Sequence, residues 1–214
     1  MPTYNDYQTE IVATGAKMYS KGFVAATDGN LSVRLDKNRI LTTPSGVSKG
    51  FLEEKDLIVV DMSGRKLAGN SDPSSELRMH LRIYELRPDV CAVVHAHPPI
   101  ATALTIAGIS LEEPVIPEVV ITMGKIPLAP YATPTTQEVP DSLKDLILSH
   151  DAILLERHGA VTVGKSLESA YCKLEKLEHC AQIIALAHQL GSVRPLSSSQ
   201  IDSLLAVRQK YLGK

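Results

Sequence analysis

The chain has 214 residues, 44% hydrophobic and 21% charged, with 22 lysines and arginines against 24 aspartates and glutamates, a formal net charge of −2 at pH 7. That length and apolar content suit one domain over residues 1–214 with a sizeable core. The charge balance leaves no basic excess for nucleic acid, no run approaches the roughly 18 apolar residues that span a bilayer, and the start, MPTYNDYQTE, is polar without a signal-peptide pattern, so the expectation is a cytoplasmic protein with neither partner.

The chain opens on an amphipathic helix: in YQTEIVATGAKMYSKG, Ile11, Gly15, Met18 and Tyr19 recur at helical spacing and Gly22 is a stop. ATDGNLSVRL reads as a glycine turn running into a short alternating strand. RILTTPSG reads as a second strand ending in a Pro-Ser-Gly loop, and DLIVVDMSGRKLAG as a hairpin turning at Ser63-Gly64. From DPSSELRMHLRIYELRPD the period becomes helical, with Leu77, Leu81 and Tyr84 on one face, Ser74 or Ser75 as cap and Pro88 beyond the end. VCAVVHAH is a buried strand, and PPIATALTIAG a short helix with proline in its first turn and Gly108 after its end. The proline-rich stretch from Ser110 to Pro140 predicts strand-like VVITM and IPLAPYA joined by long surface connections. DAILLERHGAVTVG predicts strand, turn and strand; a long helix follows from about Leu167 to Leu190, then a terminal helix near IDSLLAVRQKY. Helices interleaved with short strands predict an α/β layer fold around a mainly antiparallel sheet. Cys91, Cys172 and Cys180 lack metal-site spacing and fall in apolar or helical stretches, where thiols pack as small hydrophobes.

Chemistry is concentrated in few places. In VVHAHPP, strand alternation turns His95 and His97 to one face, where two imidazoles can share a metal ion. ERHGAV sets His158 between a buried strand and a glycine turn, and PSSE sets Glu76 in the first turn of a helix. Three imidazoles and a carboxylate are a common zinc set, in which water or substrate can displace one member. His80 competes, because it stands four residues from Glu76 on one helix face. With His150, His179 and His188 it is read as a surface or packing histidine. Gly29-Asn30, Thr43-Pro44-Ser45-Gly46 and Ser74-Ser75 are three small polar turns whose amides and hydroxyls can hold a phosphate with little need of basic residues.

DGNLSVR, LTTPSG, PSSELRMHLRIYELRPD, VVHAHP, IPLAPYATPTT and LLERHGAVTVGKSLESAY stand in the order in which the class II aldolase/adducin family carries them. The chain resembles that family from about Ile11 to its terminal helix, and most of all its bacterial L-fuculose-phosphate aldolase branch. The resemblance implies an α/β (α+β layered) fold with a central, mostly antiparallel sheet flanked by helices, assembled as a homotetramer with sites at subunit interfaces. It implies a metal-dependent lyase cleaving a phosphorylated sugar, a deoxy-ketose 1-phosphate, to dihydroxyacetone phosphate and an aldehyde, with Zn2+ as cofactor and Mn2+ or Co2+ as alternatives. By position, His95, His97 and His158 match the zinc ligands, and Glu76 the carboxylate that ligates at rest and carries protons in turnover. Asn30, Ser45, Gly46, Ser74 and Ser75 match the substrate-phosphate pocket, and Tyr211 a tyrosine of the mobile carboxyl-terminal tail. One departure stands out: PVIPEVVITMG has no tyrosine where the family carries a catalytic one from a neighbouring subunit, and Glu118 falls at or near that position. The same scaffold hosts 5-deoxyribulose and methylthioribulose 1-phosphate aldolases, a methylthioribulose-1-phosphate dehydratase, a pentulose-phosphate 4-epimerase and a decarboxylase of phosphorylated oxo-acids. It also hosts non-catalytic adducin-like heads, which the presence of all four metal-ligand candidates disfavours.

Overall fold

The structure, a computed structural model, describes residues 2–212, with the side chains of 211 and 212 outside that description. Helix α1 (Tyr4–Ser20) starts on a capping box in which the Thr3 hydroxyl accepts the Asp6 N–H and the Asp6 carboxylate accepts the Thr3 N–H. It buries Ile11, Thr14, Gly15 and Met18, whereas Tyr19, expected on that face, turns outward against Phe51. Strands β1 (Asn30–Arg34), β2 (Arg39–Thr42), β3 (Ile58–Asp61) and β4 (Lys66–Ala68) form an antiparallel meander, and the last pair closes through the expected turn, with Gly64 at φ 83.

Then come α2 (Leu77–Leu86), β5 (Ala92–Ala96), α3 (Pro99–Ile106), α4 (Pro117–Thr122), β6 (Leu128–Ala129), α5 (Glu138–Leu143), β7 (Ala152–Leu155), β8 (Gly159–Gly164), α6 (Leu167–Leu190) and α7 (Ser198–Leu212). The strands make one eight-stranded sheet in the order β4-β3-β2-β1-β5-β8-β7-β6, antiparallel except where β6 meets β7. One apolar cluster joins Leu31, Val33, Val94 and Leu154 of the sheet to α1, α3 and α6. The other joins Ile40, Val93, Ile153 and Val161 to α2 and α5. The sheet is therefore the middle of three layers.

Helices on both faces bury positions that alternation alone would leave to solvent, and packing overrides local signals elsewhere. β1 alternates as predicted, yet its polar half is not solvated: Asn30 and Ser32 are buried, because α2 lies over them. VVITM is not a strand but the body of α4. Pro117 opens it as first-turn prolines do, Val119, Val120 and Met123 bury one helical face, and the Gly124 N–H closes it on the Val119 carbonyl. A β-branched run reads as strand by propensity, and packing decides otherwise. α5, too, forms in a stretch expected to be connection, and IPLAPYA keeps only the two-residue β6.

Candidate functional site

The site forms where β1, β5 and β8 run side by side. Asn30 of β1 pairs with His95 of β5, which pairs with Val161 of β8, so Asn30 and His95 share the face that α2 covers. His97 lies one residue past β5, its N–H held by the Phe23 carbonyl. His158 comes from the tight β7–β8 connection, where Arg157 takes φ 56 and the His158 N–H returns to the Leu155 carbonyl. Gly159 makes the approach possible: a Cβ there would sit 2.8 Å from His97 Cδ2 and against the Ala96 carbonyl. Glu76 is the N-cap of α2 rather than a member of its first turn, and its own N–H donates to Ser74 Oγ at 3.3 Å, so the expected serine cap acts on the Glu76 amide.

The three imidazoles form a near-equilateral triangle with ring centroids 4.9 to 5.0 Å apart. Glu76 Oε2 is 3.1 Å from His95 Nε2, Glu76 Oε1 is 3.1 Å from His158 Nε2, and the Nε2 atoms of His95 and His97 face each other at 3.1 Å. One ligand atom from each of these four residues lies within 4.8 Å of all the others. His95 Nδ1 donates to the Ala160 carbonyl at 2.9 Å, which fixes its tautomer and leaves Nε2 as the lone-pair donor. His97 Nδ1 faces the Asp28 carboxylate at 3.5 Å, the same device more loosely made. A divalent cation fits this set, because Glu76 Oε1 is buried without a hydrogen-bond partner and one ligand atom from each of the four residues converges on the same small volume.

On their own, without a cation's charge between them, these groups perturb one another's charge in opposite directions. Burial opposes charge on Glu76, but the adjacent His95 and His158 outweigh it and hold the carboxyl well below the usual range. Burial likewise opposes charge on His95, and the Glu76 carboxylate overcomes it, raising that imidazole above its ordinary value. His97 is pushed down to about 4 by burial and by the neighbouring imidazoles, so it is neutral at physiological pH, as a ligand must be.

Beside this cluster opens a cavity of about 300 Å³ whose lining includes Asn30, Ser45, Gly46, Ser74, Ser75, Glu76, His97 and His158. The three turns predicted as a phosphate pocket do converge. The second and third are stitched by a bridge between Pro44 and Pro73 and by the Ser45 N–H on the Asp72 carbonyl. Sequence reasoning missed Asp28, Lys49 and Thr135, which also line the cavity; Thr135 holds φ 69, an uncommon conformation for a β-branched residue. His80 is neither ligand nor surface residue. Fully buried, it links Ser32 to Asn30, whose amide reaches Glu76 Oε2 at 2.8 Å. Glu118 is exposed in the first turn of α4, outside the cavity lining, and Tyr211 lies in the last turn of α7 with its side chain outside the described residues.

Residues 9–185 match the family described as the class II aldolase and adducin N-terminal domain. A 3-oxo-tetronate 4-phosphate decarboxylase of Pectobacterium atrosepticum is 36% identical over 203 residues, which cover 92% of this chain and 91% of that protein. A 5-deoxy-D-ribulose 1-phosphate aldolase of Bacillus thuringiensis is 32% identical, covering 94% and 95%. The solved structure of an L-fuculose 1-phosphate aldolase superposes with a TM-score of 0.89 at 30% identity, covering 99% of this chain and 98% of that one.

Proposed function

Because the chain belongs to the class II aldolase and adducin family, we propose that it is a zinc-dependent aldolase that cleaves a deoxy-ketose 1-phosphate, of the L-fuculose 1-phosphate type, to dihydroxyacetone phosphate and an aldehyde. The observation that carries this reading is the convergence of Glu76, His95, His97 and His158 at the edge of a hydroxyl-rich cavity. Those four residues would hold Zn2+, or Mn2+ or Co2+ in its place, and the ion supplies the positive charge that a carbon–carbon cleavage needs opposite its developing oxyanion. The hydroxyls of Ser45, Ser74 and Ser75, with Gly46 and the Asn30 amide, grip the phosphate, and remote binding fixes the carbon skeleton against the metal centre. Glu76 moves the C3 proton: anionic at rest, it takes that proton from dihydroxyacetone phosphate in synthesis and returns it in cleavage.

Family likeness supports the remaining parts: residues 1–214 as one cytoplasmic domain, assembled as a homotetramer with sites at subunit interfaces. In that assembly the exposed Glu118 of a neighbouring copy would stand in for the missing tyrosine, and Tyr211 would come from the tail.

The test is loss of one C3 proton signal from dihydroxyacetone phosphate in deuterated water, followed by NMR with zinc-loaded protein. Glu76→Gln should keep metal and lose exchange by about 10²-fold or more, whereas His97→Ala should lose metal. Full exchange in Glu76→Gln would remove the carboxylate from its role. A second reading, decarboxylation of a phosphorylated 3-oxo-acid, is favoured by the tyrosine-free α4 segment and by the 36% identical decarboxylase relative. Carbon dioxide release from 3-oxo-tetronate 4-phosphate, without proton exchange into dihydroxyacetone phosphate, would select it.

A further inference from the structure

Lys49 is an unexpected presence in the cavity. It is 1% exposed, and it is the one lysine or arginine among the described residues that line the space otherwise bounded by hydroxyls, glycines, imidazoles and the carboxylates of Asp28 and Glu76. Its ammonium donates to the Thr27 carbonyl at 2.8 Å and to the Val47 carbonyl at 2.6 Å. These two carbonyls belong to different turns: Thr27 precedes Gly29-Asn30, and Val47 follows Ser45-Gly46. The Pro44–Pro73 bridge joins the second turn to the third, so one buried cation and one backbone bridge hold all three turns in register. The backbone is committed to this arrangement as well. On α1, a Cβ at Gly15 would lie 2.8 Å from the Lys49 carbonyl oxygen, so glycine there lets the Lys49 turn sit against the helix.

Burying an ammonium with only two carbonyl partners is costly, and a packing role alone would be served better by an apolar side chain. Burial outweighs the upward pull of the Asp28 and Glu76 carboxylates and brings this lysine down to about 8, so near neutral pH it still carries most of its charge. That charge meets a specific electrostatic need. Two carboxylates face a space that hydroxyls and amides equip for an anion, and an anion with two negative charges feels their repulsion twice as strongly as one with a single charge.

We infer that Lys49 is a specificity-determining and positioning residue: its ammonium, tied to the Thr27 and Val47 carbonyls, makes the cavity select a doubly ionised phosphate group over a singly charged one. The inference rests on the reading of this cavity as the phosphate cradle. It differs from a merely structural role because it couples the charge at residue 49 to the charge on the ligand.

The test is a double-mutant cycle with one arm on the protein and one on the ligand. Wild type, Lys49→Met and Lys49→Arg are titrated calorimetrically with methyl phosphate and with dimethyl phosphate at about pH 7.5, above the second ionisation of a phosphate monoester near 6. Metal content and thermal midpoint are measured on each protein. The preference of wild type for methyl phosphate should fall roughly tenfold in Lys49→Met, as loss of about 1.4 kcal/mol of charge coupling requires, and Lys49→Arg should retain most of it. Should Lys49→Met fail to fold, Lys49→Gln, which keeps one amide donor, takes its place in the cycle. Equal weakening of both ligands would overturn the inference and leave Lys49 as a strut between turns. If wild type bound neither ligand at full metal content, the cradle reading itself would fail, a result distinguishable from an unchanged preference in the variants.

Discussion

The Asn30 amide has one orientation that satisfies both its sides. Its Nδ2 donates to Glu76 Oε2, so Oδ1 must accept, and the donor it meets is His80 Nε2. His80 Nδ1 is then a bare acceptor for the Ser32 hydroxyl at 2.7 Å, and Ser32 Oγ in turn accepts from the Tyr84 hydroxyl at 2.8 Å. A proton on both ring nitrogens would break this chain, and burial pushes His80 down to about 3, so the neutral form prevails. Its folded-state value lies below the ordinary 6.5, so the stability it contributes is complete above pH 6.5 and is lost as pH falls toward 3, because the unfolded chain binds the proton first. Urea unfolding between pH 7 and 5 should show this group costing about 1.4 kcal/mol per unit below 6.5, and His80→Gln should flatten the profile by that amount. An unchanged slope in His80→Gln would mean that His80 does not titrate as a buried neutral group. The same variant should weaken metal binding about tenfold, the usual cost of disturbing a group that orients a ligand. In sequence, His80 reads as a rival ligand and otherwise as a surface or packing residue, because i and i+4 spacing places it beside Glu76 without showing that β1 lies beneath.

At the scale of elements, the β7–β8 connection and the end of β5 carry the heaviest constraint. His95 and His97 are legible as a pair from alternation alone, but their approach to His158 depends on the missing side chain at 159. Gly159→Ala should displace the His97 ring and lower metal affinity at least about tenfold, measured by competition with a chromophoric chelator. Gly108→Ala is the control. It places alanine at φ 73 with no atom within 4 Å, so it strains the backbone yet should leave metal affinity unchanged. Equal losses in both variants would assign the effect to general destabilisation. The α4 segment shows the converse, an element whose local signal misleads: Val119, Val120 and Ile121 favour a strand, while Pro117, Gly124 and the contacts of α4 with α6 and α7 hold a helix. Arg208 of α7 completes its end by donating to the Val120 and Ile121 carbonyls, a cap from 87 and 88 residues away that no window of sequence contains.

At the scale of the molecule, the cluster of Glu76, His95, His97 and His158 would act as a cross-link once it held a metal. Glu76 stands at the start of α2, His95 and His97 at the end of β5, and His158 between β7 and β8, so one ion would tie the helix covering the sheet to two of its central strands. Ligand binding to the native state alone stabilises it by about 2.7 kcal/mol at a hundredfold excess over Kd. Removing metal with a chelator should therefore lower Tm by roughly 5–10 °C for a chain of this size, and zinc should restore it. His97→Ala should show the low Tm with or without zinc; a Tm indifferent to chelator in wild type would argue against a metal held by these four residues.

The sequence by itself determined the periodic elements and the chemical alphabet of the site. The long α6 is found from Leu167 to Leu190 as expected, the sheet is mainly antiparallel, and six ordered motifs single out Glu76, His95, His97 and His158 with the three polar turns. These features are local, written in side-chain period, turn chemistry and short spacing. Tertiary structure alone decided which groups share a volume: that Asn30 and Ser32 are buried under α2, that His80 orients Asn30, that Lys49 ties two turns together, and that VVITM is helical. Each depends on atoms brought together from distant parts of the chain, where burial and hydrogen-bond satisfaction override local preference, and neither can be computed from a window of neighbours.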